Sequence, residues 1–485
     1  MNFPKRFIRN EFHQSSPKVN FDGKVQGLEH EYAIEFPNIE NEDERDRYIC
    51  EKISQLNTIS SPAHNESIML TGAYWRNLPN GGVIYCDLEH LEGSTPECLD
   101  TRELIKQDRA TDFLALNIFD DRDLSPLIYK MNRDSRISFG AHQNFSTRFE
   151  PSELTLGPLL LWSVVEKIIT GAGYQYPEGQ FEISQRKNFI QRAFSLDTRA
   201  GVTGRGLMNT RNEPLTGLRG WYRFHHISND ANMCQSALAM KQELMQCVLA
   251  LHENRLLPQI PYYAEKDCDF AITDLKNVCS QHQDWTLDGT PKEYMKATSV
   301  LRKYEEVMRT EFYGQDSFRN LVLDLFRDTI YKLERIKNDP YTLAGRLDWV
   351  TKKYLIERMA GADNLEFDSP LIQSINLDYH RIDEGGLFYQ TLSDGWIEQH
   401  VSQRDAERGM VIPPKTRAET RGKLVQKYRD GIFKDGSRLW LYWDMALITD
   451  KNDREIWRRN LDDHRIPQNK IIEDLEGFLK FRKVI

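Results

Sequence analysis

The sequence lacks the features that define several common classes of protein. Its seven cysteines form no C-x-x-C pair, and an odd number of cysteines without a regular framework is typical of a reducing compartment. No run of about 18 apolar residues occurs, and residues 1–24 read as a polar extension without the apolar stretch of a signal peptide. We therefore predict a cytoplasmic protein that does not interact with a membrane.

Nucleic-acid binding and the common glycine-rich nucleotide folds are not indicated either. The formal net charge is −9, and both signs are scattered along the chain, whereas nucleic-acid binders usually concentrate basic residues on one face. Neither G-x-x-x-x-G-K-[ST] nor G-x-G-x-x-G occurs, so the sequence supports neither a P-loop nor a dinucleotide fold. We expect no nucleic-acid partner.

The chain of 485 residues is long enough for two or three domains. Tandem prolines at 413–414 indicate a boundary, so we predict a polar extension over 1–24, a large domain over 25–412 and a small C-terminal domain over 413–485. Residues 438–449 alternate like a strand of that small domain. Apolar periodicity predicts helices over 98–119, 152–172, 232–258, 292–314, 316–338 and 341–360.

The segment Gly27–Phe36 combines strand alternation with an unusual density of acidic residues. A period of two places Glu29, Glu31 and Glu35 on one face and apolar side chains on the other. Neighbouring carboxylates repel each other and are costly to desolvate, so a half-buried strand that carries them usually has a cation nearby. We interpret this strand as one wall of a metal site.

A second predicted strand ends in a further group of acids. Its alternation places Tyr85, Asp87 and Glu89 on one face, and Glu92 and Glu97 follow within a few residues. Carboxylates with few histidines and no clustered thiols suit Mg²⁺ or Mn²⁺ better than zinc. The alternative interpretation is a set of solvated acids at the ends of loops.

A third segment, 136–145, alternates between small polar and apolar side chains. His142 and Asn144 share the polar face with a serine and a glycine, and Ile137 and Phe139 are expected in the core. A small polar face beside a metal site leaves room for a ligand. On spacing alone, His142 is either a ligand or a core histidine with satisfied hydrogen bonds.

Arginines are concentrated between residues 186 and 223, where they alternate with glycines. Guanidinium groups match phosphate and carboxylate oxygens in a bidentate manner, and glycine allows backbone amides to approach a phosphate closely. Such a region is typical of a triphosphate site or of a solvated basic loop. The arginines are Arg186, Arg192, Arg199, Arg205, Arg211, Arg219 and Arg223.

The order and spacing of several motifs resemble the Pup ligase and depupylase family, whose members are relatives of glutamine synthetase. The resemblance runs from about residue 25 to about residue 475. Its motifs are GLEHEY, YCDLEHLEGSTPE, RELIKQDRA, FGAHQNF, MNTRNEP, DWVTKKYLIER, INLDYHRID and PPKTRAETRGKL. The resemblance implies an α+β fold, with a glutamine-synthetase-like large domain whose mostly antiparallel sheet is packed by helices, and a small C-terminal α/β domain.

The resemblance also implies roles for individual residues and two cofactors, ATP and Mg²⁺. Asp87 matches the catalytic aspartate of the family. The implied metal ligands are Glu29, Glu31, Tyr85, Glu92 and His142. The implied nucleotide or phosphate contacts are Arg205, Arg211, Arg223, Arg421 and Trp440. Further positions expected to face the substrate are Glu97, Asn144 and His225.

The implied activity is ATP-dependent formation of an isopeptide bond. A glutamate-type carboxylate of Pup, or of a Pup-like tail, would attack the γ-phosphate of ATP, and a protein lysine would then displace phosphate from the acyl phosphate. A protonated amine must lose a proton before it attacks, and Asp87 is the natural general base. In the depupylase branch, the same aspartate would assist cleavage of the bond, with ATP as a retained cofactor.

Two features of the sequence bear on the choice between the branches. Only 55 residues separate Glu31 from Asp87, which leaves no room for the long insertion of depupylases and favours ligation. The interval from Asp87 to Glu92, in contrast, resembles the depupylase spacing.

Substitutions relative to the family keep the identity of the modifier open and suggest a third alternative, a nucleotide-binding regulator without catalysis. They include His30, Leu91, Gly93, Gln143 and Gln235.

Overall fold

The computed structural model describes residues 19, 24–39, 41–61, 75–87, 90–119, 126–133, 137–198, 204–213, 216–265, 267–280 and 284–484. The predicted extension over 1–24 lies outside the described residues except for Val19 and Lys24, and Glu89 and Arg199 lie outside them too. Within the described part of the chain, every helix is too short or too polar to span a membrane.

A large sheet dominates the first half of the chain. Its order is β10-β11-β12-β7-β1-β5-β4-β3-β2, and β6 pairs with β1. Of its described strand pairs, only β10–β11 is parallel. The strands of the protein are β1 Gln26–Glu35, β2 Ser60–Ser61, β3 Trp75–Asn77, β4 Val83–Asp87, β5 His90–Ser94, β6 Leu127–Tyr129, β7 Ala141–Thr147, β8 Tyr174–Gln175, β9 Phe181–Glu182, β10 Ile190–Ser195, β11 Arg205–Asn209, β12 Tyr222–His226, β13 Arg438–Leu441, β14 Met445–Thr449 and β15 Glu455–Asn460.

Helices cover one side of this sheet and form most of the apolar core. The longest, Gln235–Glu253, is buried along nearly its whole length. The described helices are α1 Glu42–Ser54, α2 Thr101–Ile118, α3 Glu153–Leu156, α4 Leu160–Val165, α5 Lys167–Thr170, α6 Gln235–Glu253, α7 Asp269–Cys279, α8 Ala297–Phe312, α9 Ser317–Leu333, α10 Asp348–Asp363, α11 Pro370–Asp378, α12 Leu387–Ser393, α13 Gln403–Gly409, α14 Arg417–Tyr428 and α15 Lys470–Phe481. The predicted α+β class with a mostly antiparallel sheet is thereby confirmed.

Most predicted elements are present, but three differ. The helix expected over 152–172 is divided into α3, a 3₁₀ turn, α4 and α5, because Pro158 in the turn lacks the N–H that a continuous helix needs. The third predicted strand begins only at Ala141, and Ile137 is 45% exposed. The backbone N–H of Gly140 donates to a carboxylate oxygen of Glu31, and the N–H of Glu31 donates to the Gly140 carbonyl. The residues before Ala141 therefore bind to the acidic strand β1 and do not extend the third strand.

The C-terminal part of the chain has an apolar core of its own. Strands β13, β14 and β15 form an antiparallel sheet that packs with α14 and α15 around Leu424, Leu439, Ile448 and Leu475. Segment 438–449, expected as one strand, is a hairpin, because apolar side chains on both arms pack into this same core.

Buried charges hold the back of β1 in place. His30 Nε2 lies 2.9 Å from Asp108 on α2, and Lys130 Nζ donates to the other oxygen of Asp108 at 2.7 Å. Because alternate residues of a strand face opposite sides, these contacts fix the strand whose other face carries Glu29 and Glu31.

Candidate active site

Three neighbouring strands bring predicted acids together on one face of the sheet. In the antiparallel register, Glu31 on β1 lies opposite Glu92 on β5, and Glu92 lies opposite Tyr85 on β4. One carboxylate oxygen each from Glu31, Asp87 and Glu92 lie within 4.8 Å of one another. The strand pairing thus brings these predicted residues together on one face of the sheet.

The carboxylates of this acidic group repel one another. Burial and the neighbouring carboxylates of Glu31 and Glu29 raise the pKa of Glu92 well above its usual range. Burial and the same acidic surroundings raise the pKa of Tyr85 as well. A divalent cation would remove this repulsion, and oxygen ligands suit a hard ion such as Mg²⁺.

A second group on this face combines a carboxylate with two histidines. One ligand atom each from Glu29, His142 and His225 lie within 4.8 Å of one another. Arg223 Nη2 donates to Glu29 at 2.8 Å, and Arg223 Nε donates to Asn144 Oδ1 at 2.7 Å. Burial by itself raises the pKa of Glu29, but Arg223 and the two histidines hold it well below its usual range. Glu29 is therefore ionised and partly neutralised.

Two buried arginines lie beside the first acidic group. Arg186 Nε donates to Ser138 Oγ at 3.2 Å, and Arg205 Nη2 donates to the Ser138 carbonyl at 3.4 Å. Each retains one buried nitrogen, Nη2 of Arg186 and Nη1 of Arg205, that has no hydrogen-bond partner among the described residues. Burial and the neighbouring Arg205 lower the pKa of Arg186 to about 9. An anionic ligand would supply acceptors for these two nitrogens.

A cavity of about 100 Å³ connects the sheet with the C-terminal part of the chain. Its lining combines Glu29 and Arg223 with Arg417, Trp443 and His464. Asn144 and Glu97, both expected to face the substrate, also line it. An aromatic ring with a few polar groups is a typical lining for a small organic ligand.

Glu97 and Arg421 form a buried ion pair at this cavity. Arg421 Nη1 donates to Glu97 at 3.0 Å, its other nitrogens reach the second oxygen of Glu97 and the Gly81 carbonyl, and its side chain is completely buried. Arg417 Nε donates to Glu97 at 2.6 Å. Arg421 does not line the cavity. Its contact with the nucleotide stays a prediction.

Three other predicted nucleotide contacts, Arg205, Arg211 and Trp440, lie outside the cavity lining. Arg211 is 38% exposed and lies 3.9 Å from Asp197 and 3.8 Å from Glu213. Trp440 Nε1 donates to Thr449 Oγ1 at 3.0 Å. Neither Arg211 nor Trp440 is among the lining residues, and the nucleotide contact of each stays a prediction.

Sequence reasoning missed several residues of the site. Arg186 was one of seven clustered arginines, and only its burial distinguishes it. Arg417 lies inside the motif PPKTRAETRGKL, and Trp443 follows the predicted tryptophan by three residues, so a local signal was present for both. Thr216 and His464 carried no signal in the sequence.

Comparison with known proteins provides relatives that cover most of the chain. The Pup-ligase protein family matches residues 24–444. The Pup–protein ligase of Paenarthrobacter aurescens is 26% identical over 447 residues, which cover 87% of this chain and 93% of the relative. The depupylase of Acidothermus cellulolyticus is 28% identical over 370 residues, which cover 72% of each protein.

Solved structures show the same fold. The Pup ligase PafA in its complex with Pup superposes with a TM-score of 0.78 at 23% identity, covering 95% of this chain and 94% of PafA. A PafA structure in complex with ADP gives a TM-score of 0.72 at 24% identity, covering 84% of this chain and 90% of that one. With the family match over most of its length, this chain belongs to the Pup-ligase protein family.

Proposed function

We propose that this protein is an ATP- and Mg²⁺-dependent ligase that joins a glutamate-type carboxylate of Pup, or of a Pup-like modifier, to a lysine amine. The observation that carries the proposal is that a group that needs positive charge lies next to a group that needs negative charge. The carboxylates of Glu31, Asp87 and Glu92 crowd together and raise the pKa of Glu92, and beside them Arg186 and Arg205 each keep one buried nitrogen without a hydrogen-bond partner among the described residues. Metal-bound phosphate satisfies both demands at once.

The donor set fits Mg²⁺. Glu31 and Glu92, with Tyr85 beside them, would hold one ion, and Glu29 with His142 would hold another. When bound, Mg²⁺ neutralises negative charge on phosphate oxygens. The mutual repulsion that raises the pKa of Glu92 is the structural sign of this requirement.

The side chains of the protein supply the remaining steps. A carboxylate oxygen of the modifier attacks the γ-phosphorus of ATP, ADP leaves, and an acyl phosphate forms. The nitrogens of Arg186 and Arg205 that have no hydrogen-bond partner among the described residues would hold the transferred phosphoryl group. Asp87 accepts the proton of the lysine ammonium, the amine attacks the acyl carbon, and phosphate leaves.

The cavity beside Glu29 is the natural place for the nucleotide. Arg223 lines it next to the second metal group, and Trp443 offers an aromatic surface for a base. We therefore replace Trp440 by Trp443 in the proposed base contact. Arg421 acts indirectly, because it holds Glu97 and not the nucleotide.

The partners follow from the family. Relatives are named Pup–protein ligases, and PafA forms a complex with Pup. A small protein modifier with a C-terminal glutamate-type carboxylate and a lysine-bearing acceptor protein are the proposed substrates. A cytoplasmic location is part of the same proposal, and it rests on the composition of the sequence.

The test is carboxylate-dependent turnover of ATP. The protein is incubated with ATP, Mg²⁺ and Pup ending in glutamate, with hydroxylamine as a small acceptor, and ADP and the hydroxamate are measured. Equal amounts of ADP and hydroxamate are expected. Asp87→Asn is the inactive comparison, and Glu44→Gln, on the exposed side of α1, is the matched control. Absence of carboxylate-dependent ADP would contradict the proposal.

The same assay separates ligation from cleavage. The depupylase relative and the short interval between Asp87 and Glu92 favour an amidase as the second candidate. An amidase releases lysine from a Pup conjugate without stoichiometric formation of ADP. Turnover strictly coupled to ADP excludes it, and binding of ATP without either reaction would indicate a regulator.

A further inference from the structure

The proposed nucleotide cavity contains a histidine whose hydrogen-bonding state can be worked out. His464 lines the cavity, and its ring packs edge-on against Trp221 at 5.1 Å between centroids. His464 Nε2 is buried and has no hydrogen-bond partner among the described residues. Any role of this nitrogen toward the nucleotide rests on the proposed function, because that function places ATP in the cavity.

The contacts of Thr216 decide which nitrogen of His464 carries the proton. Thr216 Oγ1 lies 2.8 Å from the carbonyl oxygen of Asp462, which can only accept, so the hydroxyl hydrogen is directed there. The backbone N–H of Leu218 also donates to this hydroxyl. At 3.1 Å, His464 Nδ1 therefore meets an acceptor and must be the donor.

The imidazole is neutral under ordinary conditions. Burial and the neighbouring Arg417 lower the pKa of His464 to about 4, although Glu97 and Asp463 act in the opposite direction. A neutral imidazole with its proton on Nδ1 has a bare acceptor at Nε2. A buried acceptor without a partner is unfavourable, so the site is complete only when a donor arrives.

We propose that His464 Nε2 accepts a hydrogen bond from the nucleoside part of ATP and thereby selects the nucleotide. The donor is an N–H or O–H group, and ATP carries two kinds: the 6-amino group of adenine and the ribose hydroxyls. A 6-oxo purine presents an acceptor in place of the amino group and would be rejected by the first arrangement. His464 is a specificity residue of the ATP site.

Binding of nucleotide analogues to the wild-type protein tests the proposal directly. Dissociation constants are measured by calorimetry, with Mg²⁺ present, for ATP, the triphosphate of purine riboside, 2′-deoxy-ATP and 3′-deoxy-ATP. Loss of the hydrogen bond is expected to weaken binding about tenfold. A loss confined to the purine analogue identifies the amino group, and a loss confined to one deoxy analogue identifies that hydroxyl.

Variants show whether the lost bond is the one to His464. His464→Phe keeps a ring and removes the acceptor, so ATP should bind about tenfold more weakly and the sensitive analogue should bind as ATP does. His464→Gln retains a carbonyl acceptor and should recover part of the discrimination. His252→Phe, at a half-buried histidine outside the cavity lining, is the control and should leave the wild-type pattern intact.

The outcomes separate this proposal from the proposed function. Equal binding of all four nucleotides, or discrimination that persists in His464→Phe, would overturn the role of His464 even if the protein ligates. Discrimination through His464 without any conjugate would support it while removing the ligase function. If ATP does not bind to the wild-type protein at all, both proposals fail.

Discussion

Single residues of the site differ in whether their charges are already paired. Arg421 and Glu97 satisfy each other inside the protein, whereas Arg186 and Arg205 each keep a nitrogen beside Glu31 that has no hydrogen-bond partner among the described residues. Residues of the first kind determine stability. Residues of the second kind are available for a substrate, since burying an unpaired cation is costly unless a ligand offsets part of the cost.

Asp87→Asn should abolish ligation but not nucleotide binding. The amide keeps the shape of the side chain but cannot accept the proton of the amine, so the rate of conjugation should fall about 10²- to 10⁴-fold. Stopped assays of conjugate formation measure the rate, and calorimetry measures the affinity for ATP. An Asp87→Asn variant that conjugates at more than a tenth of the wild-type rate would remove Asp87 as the general base.

Glu97→Gln should destabilise the fold by about 3 kcal/mol, because it leaves Arg417 and Arg421 buried without their partner. Burial raises the pKa of Glu97, but Arg421 and Arg417 lower it overall from 4.5 to about 2. A lowered folded-state pKa gives stability that is present above pH 4.5 and disappears as the pH falls towards 2.

The free energy of unfolding of wild type and Glu97→Gln in urea tests this between pH 3 and 7. The difference between the two proteins should be constant above about pH 5 and should shrink below it. A difference that does not depend on pH would show that packing, and not the charge of Glu97, is responsible. Glu44→Gln, an exposed acid, should change the stability by less than about 0.5 kcal/mol.

At the scale of elements, helix α14 is held against the β3–β4 turn by close backbone contact. A Cβ at Gly422 would lie 2.5 Å from the Pro79 carbonyl oxygen, which cannot yield as a flexible side chain can. The same helix carries Arg417 and Arg421. The distance between α14 and the sheet therefore determines where Glu97 and one wall of the cavity lie.

Gly422→Ala should destabilise the protein and weaken ATP binding together, because α14 must move away from the turn. Gly477→Ala, in the exposed part of α15 with no atom within 4 Å of the added Cβ, should instead stabilise the protein by about 1 kcal/mol. Thermal unfolding and calorimetry compare the two. Unchanged affinity for ATP in a folded Gly422→Ala protein would separate α14 from the site.

The elements also show what the sequence could predict. The alternation of β1 is a local property, so the placement of Glu29 and Glu31 on one face of the strand could be predicted from neighbouring residues alone. The division of helix 152–172 follows from Pro158, which was visible but was outweighed by the apolar periodicity. The hairpin over 438–449 could not be distinguished from one strand, because both arms alternate.

At the scale of the whole molecule, the site is assembled from distant parts of the chain. Thr216 and His464 are 248 residues apart and meet only through the packing of the C-terminal part on the sheet. No pattern within a window of sequence records such a contact. The fold and the acidic group could therefore be predicted, whereas the wall of the cavity that contains His464 could not.

ATP with Mg²⁺ should stabilise the whole protein more than ATP with a chelator. A ligand that binds only the folded state, present at 100 times its dissociation constant, adds about 2.7 kcal/mol to the free energy of unfolding. The midpoint of thermal unfolding measures the effect. Glu92→Gln removes one of the repelling acids, so it should leave the ligand-free protein at least as stable as wild type while reducing the Mg²⁺-dependent part. Equal midpoints in Mg²⁺ and chelator would argue against a metal site.

The cavity that joins the sheet to the C-terminal part also has a consequence for biosynthesis. The acidic strands and their histidines are complete once residue 226 has been translated, but Arg417, Trp443 and His464 emerge about 200 residues later. A nascent chain therefore carries the acidic face of the sheet well before the cavity beside it can be closed. Under the proposed function, binding of the nucleotide in that cavity has to wait until its last wall has left the ribosome.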